Sequence, residues 1–354
     1  MDPKIELLLQ MMSQPVFLVK DGIVRWHNDP ADCLVSDGME IRVFLNEGAK
    51  LYYLWDRKGP MQMTISVFGI KYEAKVRIIE EGELFVLEIL EEDRYEGGST
   101  LSQISSGMRR IMQELISSVA ALQDQMFENP ELTKETELLN RSVYRLIRLC
   151  TQISDGGNLM QNRPQSMFES LNVHDFLYDF ADEAGSLLRE SGWDLKYKPC
   201  KDNLTAYFDP ELIERALYNL VSTGIRHSKP GHPVMIEAWE EPGLVCFCVS
   251  YQANRGCLGG FFSSFGDAYG KAFRLDGLGA DVVRLIAELH GGSVLSSVSE
   301  EEEKVETVLT VKRFGKNIGL RSPGTFHRRA ESFHGGLVEL SEVLDPGVYH
   351  PDKV

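Results

Sequence analysis

Apolar residues change period several times along this chain, and each change marks an element. Residues 3 to 13, PKIELLLQMMS, carry a helical period and predict a short amphipathic helix. The period then drops to two. VFLV (16–19), KDG (20–22) and IVRW (23–26) predict a hairpin, because Asp-Gly supplies the positive φ angles that a tight turn needs. After a helical or irregular stretch over 29–48, strands are expected at KLYYLWD (50–56), MQMTISVF (61–68), KYEAKVRIIE (71–80) and ELFVLEIL (83–90). This is an α+β layout with helices inserted after the second strand.

A charged, glycine-bearing run, EEDRYEGGS (91–99), marks a boundary before two helices. Ile104, Met108, Ile111, Met112, Leu115, Val119 and Leu122 repeat at helical steps until Asn129-Pro130 interrupts them. The return helix carries Leu132, Leu139, Val143, Leu146, Ile147, Cys150 and Ile153 on its stripe and is expected to stop at Asp155-Gly156-Gly157. One hairpin cannot bury both stripes, so a second copy should complete a four-helix bundle and make the protein a homodimer through residues 100–160.

Beyond Pro164 the order is strand, helix, strand, strand and then one long periodic helix, DPELIERALYNLVSTGIRH (209–227). Asp209 is a sound N-cap with Pro210 at the first helical position. Leu212, Ala216, Leu220 and Thr223 share one face, Leu217, Val221 and Gly224 lie beside it, and Glu214, Tyr218 and Arg226 point away. Strand GLVCFCVS (243–250), a glycine- and phenylalanine-rich stretch (257–276), helix DVVRLIAELH (281–290) with a Gly291-Gly292 stop, and strands SVLSSV (293–298) and VETVLTVKRF (305–314) complete the pattern. Residues 316–354 recur in proline and glycine around a short helix near LVELSEVL, and read as an appendage packing on the preceding domain or as a docking peptide.

A length of 354 residues calls for two or three domains. The composition, 43% hydrophobic and 25% charged, is that of soluble globular domains. Lys plus Arg number 37 against 53 for Asp plus Glu, and a formal charge of −16 works against binding nucleic acid or anionic lipid. The six cysteines show no C-x-x-C pairing, so neither a disulfide framework nor a zinc site is indicated and a reducing cytoplasm fits best. Cys246 and Cys248 fall on the same side of one strand and read as core. No run approaches a membrane span, and the N-terminus lacks a cleavage site, so the chain is expected to be neither secreted nor membrane-spanning.

The VFLVKDGIVRWHN hairpin ending in Asn28 and the closing KVRIIEEGELFVLEIL hairpin follow the order of a PAS domain, which residues 1–92 resemble. Such domains sense small ligands or dimerise. Trp26, His27 and Cys33 are candidate pocket-lining residues, weighed against plain packing roles, and neither haem nor flavin is expected. Residues 93–99 form the linker. The hairpin that follows is similar to the dimerisation and phosphoacceptor module of sensor histidine kinases, whose acceptor segment reads Ser-His-Glu-Leu-Arg-Thr-Pro-Leu. Here the segment is Ser105-Ser106-Gly107-Met108-Arg109-Arg110-Ile111-Met112, with Ser106 at the histidine position and Gly107 in place of the acid. A serine without an adjacent base is a weak nucleophile.

Residues 165–315 resemble the ATPase domain of that family, an α/β sandwich. The family's Asn-Leu-x-x-Asn-Ala becomes Asn219-Leu220-Val221-Ser222-Thr223-Gly224, so Asn219 is kept and Thr223 stands at the magnesium position. The family's adenine-binding Asp-x-Gly-x-Gly becomes Tyr251-Gln252-Ala253-Asn254-Arg255. Loss of that acceptor should cost roughly 1.5–3 kcal/mol of nucleotide affinity. Gly277 and Gly279 survive in Asp276-Gly277-Leu278-Gly279-Ala280, where backbone amides at a helix start can meet an anion or simply make a tight turn. The stretch 257–276 corresponds to the nucleotide lid, and 316–354 has no counterpart.

The resemblance therefore implies a cytoplasmic signal-transduction protein of histidine kinase architecture, catalytically degenerate and acting as a dimeric scaffold or regulator. The alternative is a divergent but active ATP-dependent sensor histidine kinase of a two-component system. No cofactor is expected, ATP with Mg²⁺ being the candidate if the pocket is retained. A response regulator or another signalling protein is the implied partner.

Overall fold

The structure, a computed structural model, describes residues 3–45, 48–67, 70–89, 130–160, 168–254, 278–299, 301–313 and 335–350. It divides into two compact units, one of residues 1–94 with 293–308 and one of residues 95–292 with 309–354. The linker 93–99 and the first helix of the expected hairpin lie outside the described residues.

In the first unit, α1 (Pro3–Gln10) precedes the hairpin β1 (Val16–Lys20) and β2 (Ile23–His27). Asp21 and Gly22 take φ of 54° and 73°, the two positive values that the Asp-Gly turn predicted. Two short helices follow, α2 (Ile41–Leu45) and α3 (Ala49–Leu54), and then β3 (Met61–Val67), β4 (Ile70–Ile79) and β5 (Gly82–Ile89). Together with β11 (Val294–Ser299) these strands pair antiparallel in the order β2-β1-β5-β4-β3-β11.

The strand expected at 50–56 is instead α3. Its aromatic residues carry strand propensity, but burial there follows a helical turn: Leu51, Tyr52 and Trp55 are buried while Tyr53 is exposed. Tyr52 and Trp55 pack under the Arg57 guanidinium, which lies 5.0 and 5.6 Å from their rings and 2.8 Å from Glu83. Asn28 closes the β1–β2 hairpin as a staple. Its Oδ1 accepts from Val16 N at 2.8 Å and its Nδ2 donates to Leu9 O and Gln14 O at 3.1 and 2.9 Å, tying α1 to the sheet.

In the second unit, α4 (Pro130–Met160) leads to β6 (Glu169–Asn172), α5 (Val173–Glu190), β7 (Leu195–Lys198), β8 (Thr205–Phe208), α6 (Pro210–His227), β9 (Val234–Glu241) and β10 (Leu244–Gln252). After them come α7 (Leu278–Leu289), the end of β12 (Lys304–Lys312), α8 (Gly335–Glu339) and a final 3₁₀ turn (Pro346–Tyr349). β6 and β8 form a separate antiparallel pair. β7 runs parallel to β9, β9 antiparallel to β10, and β12 neighbours β10. Leu244 to Tyr251 are all buried, Cys246 and Cys248 among them, so β10 is covered on both faces. Helices α5 and α6 pack on β9 and β10, and α7 packs on α6.

Two features of α4 depart from expectation. The helix runs through Gly156 and Gly157 to Met160 and does not stop at them. Glycine inside a helix costs only about 1 kcal/mol, and Arg215 Nη1 holds both carboxylate oxygens of Asp155 at 2.9 Å, which fastens that turn to α6. The buried face is also rotated from the predicted stripe. Val143, Ile147 and Cys150 are buried as expected, but Leu139 and Leu146 are exposed, whereas Asn140, Tyr144, Arg148, Thr151 and Gln152 face inward. This face meets α7, α8 and the final 3₁₀ turn of the same unit.

Candidate functional site

Helix α6 organises the site, and its start is built from both ends of the unit. Asp209 caps it by accepting from Leu212 N at 3.2 Å, while Asp209 N donates to Nε2 of His290 at 3.0 Å. His290 Nδ1 in turn lies 2.7 Å from Ile286 O, which fixes the proton on Nδ1 and leaves Nε2 as the acceptor. Burial lowers the His290 pKa, in keeping with a neutral ring. Gly291 follows at φ 66°, and a Cβ on Gly292 would lie 1.7 Å from Thr310 O, so both glycines of the stop are required by shape.

Asn219 sits in the middle of α6 and is 5% exposed. Its Oδ1 accepts from Arg148 Nη2 at 3.0 Å and from Gln152 Nε2 at 2.9 Å, and its Nδ2 donates to Arg215 O at 3.0 Å. The two donors fix the amide orientation and take both lone pairs of the oxygen. Gly279, in the first turn of α7, lies directly over this contact. A Cβ there would be 2.6 Å from Asn219 Oδ1 and 3.2 Å from Gln152 Nε2. Glycine at 279 thus has a packing cause: it lets α7 close over the α4–α6 junction.

Thr223, one turn further along α6, is half-buried and its hydroxyl accepts from Arg226 Nη2 at 3.4 Å. Tyr251 is buried on β10, its ring against α6 where Gly224 leaves room; a Cβ on Gly224 would be 3.1 Å from Tyr251 Cδ1. The structure therefore brings Asn219 and Gly279 together and seats Thr223 and Tyr251 around the same helix. Ser106, Gly277 and the expected lid lie outside the described residues.

Sequence reasoning missed the groups that fill this site. Arg148 is buried, with Nη1 3.1 Å from Glu342 Oε2 and Nε 3.4 Å from Glu339 Oε2. Arg226 Nη1 reaches the same Glu342 oxygen at 3.1 Å. With Arg215 on Asp155, each of Arg148, Arg215 and Arg226 meets a carboxylate within the unit. Tyr218, expected on the polar face of α6, is buried beneath α8: its hydroxyl donates to Glu183 Oε1 at 3.4 Å and would touch a Cβ on Gly336 at 2.9 Å. The available signal was the spacing of Arg141, Arg145 and Arg148 on one side of α4, which interrupts its leucines.

Among the described residues, Asn219 and Thr223 already have side-chain partners where Mg-ATP would need them. The Asn219 oxygen already receives two N–H donors, and Thr223, which stands at the magnesium position, has its hydroxyl held by the Arg226 guanidinium. Among the described residues, no helix is long and apolar enough to cross a membrane.

No family model matches the chain, and no curated protein matches it. Among solved structures it is similar to the catalytic domain of histidine kinase ThkA, at 19% identity over 42% of this chain and 98% of that one with a TM-score of 0.33. It is similar to the Acinetobacter baumannii histidine kinase AdeS at 15% identity over 58% of this chain and 95% of that one, TM-score 0.39. A third likeness is histidine kinase ThkA in complex with response regulator protein TrrA, at 16% identity over 87% of this chain and 98% of that one, TM-score 0.39. At such TM-scores these likenesses carry no argument about chemistry.

Proposed function

We propose that this chain is a signal-transduction protein of histidine kinase architecture whose nucleotide pocket is filled by its own side chains, and that it acts as a dimeric scaffold or regulator. The observation that carries this reading is the double donation of Arg148 and Gln152 to Asn219 Oδ1. The one amide kept at the expected nucleotide helix is spent on an internal contact. Tyr251 at the adenine position and Thr223 at the metal position support the same reading from other sides of α6.

Dimerisation through 100–160 remains part of the proposal, with Leu138, Leu139, Leu146 and Leu149 of α4 exposed on the single chain and suited to a second copy. A cytoplasmic location and a response regulator or similar signalling protein as partner complete it. The test is the nucleotide content of the purified full chain after denaturation, read by chromatography. Less than one-hundredth of an equivalent is expected, as an order-of-magnitude bound, since closed polar contacts must first be broken. Stoichiometric ATP or ADP would favour the divergent active kinase instead.

A further inference from the structure

The segment 335–350 is seated against α4, α5 and α6. Leu337, Leu340, Leu344 and Tyr349 are buried there. Arginines at successive turns of α4 hold its polar side: Arg141 Nη1 donates to Leu344 O at 3.4 Å, and Arg145 donates to Ser341 O and Glu342 O at 3.2 and 3.3 Å. Arg148 and Arg226 take the carboxylates of Glu339 and Glu342, which stand three residues apart. Cations thus meet the carbonyl end of a short helix, its last residue Glu339 and, in the turn beyond it, Glu342, a pattern that reads both backbone and charge.

Two details distinguish this contact from a fused core. Glu339 is buried, yet its closest approach to Arg148 Nε is 3.4 Å, long beside the roughly 2.7–2.9 Å of a good charge-assisted bond. A permanent core gains more from apolar residues at such a place, whereas a buried ion pair sets register and partner choice. The fit is also decided at a single residue. A Cβ on Gly336 would fall 2.7 Å from Leu187 Cδ1 and 2.9 Å from the Tyr218 hydroxyl.

We propose that α4, α5 and α6 form a docking groove for a short amphipathic helix bearing carboxylates three residues apart, that residues 335–350 occupy it in cis, and that a partner protein carrying such an acidic helix displaces them. The apolar floor takes the Leu337, Leu340 and Leu344 side, and Arg148 and Arg226 take the acids. Arg148 links the groove to Asn219, so displacement of the segment reaches the interior of the unit. The groove shares Arg148 with the Asn219 contact, but its test reads the segment and a peptide and uses no nucleotide, so either reading can fail without the other.

The test uses the full chain. Hydrogen exchange read by mass spectrometry follows Leu340, Val343 and Leu344, whose amides bond to Gly336 and Leu340 carbonyls. They should open on their own, at least about tenfold more often than α6, through a local transition. A fluorescent peptide of the sequence GGLVELSEVLDPGVYH should bind the Gly336→Val full chain at least about tenfold more tightly than the wild type, where the cis segment competes. The same peptide with both glutamates changed to alanine should bind at least about tenfold more weakly. Exchange of the segment and α6 in one cooperative step overturns the proposal. So does a peptide that ignores Gly336→Val, one whose binding is indifferent to its glutamates, or a Gly336→Val chain that no longer folds.

Discussion

Asn219 gives the site its meaning at the scale of single residues. A buried amide oxygen that receives two donors stabilises the α4–α6 junction, and its removal strands both donors. Asn219→Ala should therefore destabilise the second unit by about 1–3 kcal/mol in urea unfolding, through the unpaired Arg148 and Gln152 groups. The Arg148–Glu339 pair gives a sharper result. Arg148→Met removes its contacts with Asn219, Glu339 and Glu342 together and should cost about 1–3 kcal/mol, Glu339 taking up a proton in its absence. Adding Glu339→Leu should cost less than the sum of the two single changes, which a double-mutant cycle would measure. Additive losses would show that the two side chains do not meet in solution.

The same residues show what a sequence reveals about a site. Asn219, Thr223 and Tyr251 were singled out because they stand at fixed positions on α6 and β10. Arg148, Glu339 and Glu342 were not found. They lie 71, 120 and 123 positions from Asn219 in register with nothing local, and only tertiary packing brings them together.

Among the elements, α6 was legible to within a residue because its signals are local: an Asp209-Pro210 start and an apolar period carried for five turns. The β1–β2 turn was legible for the same reason. Helix α3 was not, since aromatic propensity pointed to a strand while the core required a turn of helix. The inward face of α4 was not legible either, because its own unit supplies polar partners that turn Arg148 and Gln152 inward and leave Leu139 and Leu146 outside.

Element α8 carries a pH dependence. Burial raises the Glu339 pKa to about 7 from its ordinary 4.5, against the opposing pull of Arg148 and Arg215 and with Asp155 acting in the same upward direction. The fold thus disfavours the ionised form. The penalty is full above about pH 7 and is relieved progressively as the pH falls from about 7 toward 4.5, so this group makes stability rise as the pH drops through that window. His290 acts oppositely below its ordinary 6.5, because its lowered folded pKa makes protonation costly. Glu339→Gln should remove the gain that appears as the pH falls below about 7 and leave the opposing His290 loss below 6.5, as judged from urea midpoints across pH. An unchanged slope above pH 6.5 in that variant would remove Glu339 as the cause.

For the whole molecule, the proposed role depends on assembly more than on turnover. The exposed Leu139 and Leu146 of α4 are the residues a second copy would cover. Light scattering on the full chain should report a dimer, and Leu139→Glu combined with Leu146→Glu should give a folded monomer. A wild-type monomer at micromolar concentration, or a double variant that still dimerises, would place the contact elsewhere. The acidic charge of −16 fits a protein that meets other proteins and avoids nucleic acid.

The central claim is that the pocket around Asn219 is closed by the chain's own Arg148 and Gln152. Calorimetric titration of the full chain with Mg-ATP tests it most directly. The account predicts no binding heat up to about 1 mM nucleotide, an affinity weaker than about 4 kcal/mol. Micromolar binding, accompanied by transfer of label from the γ-phosphate to the protein, would contradict it.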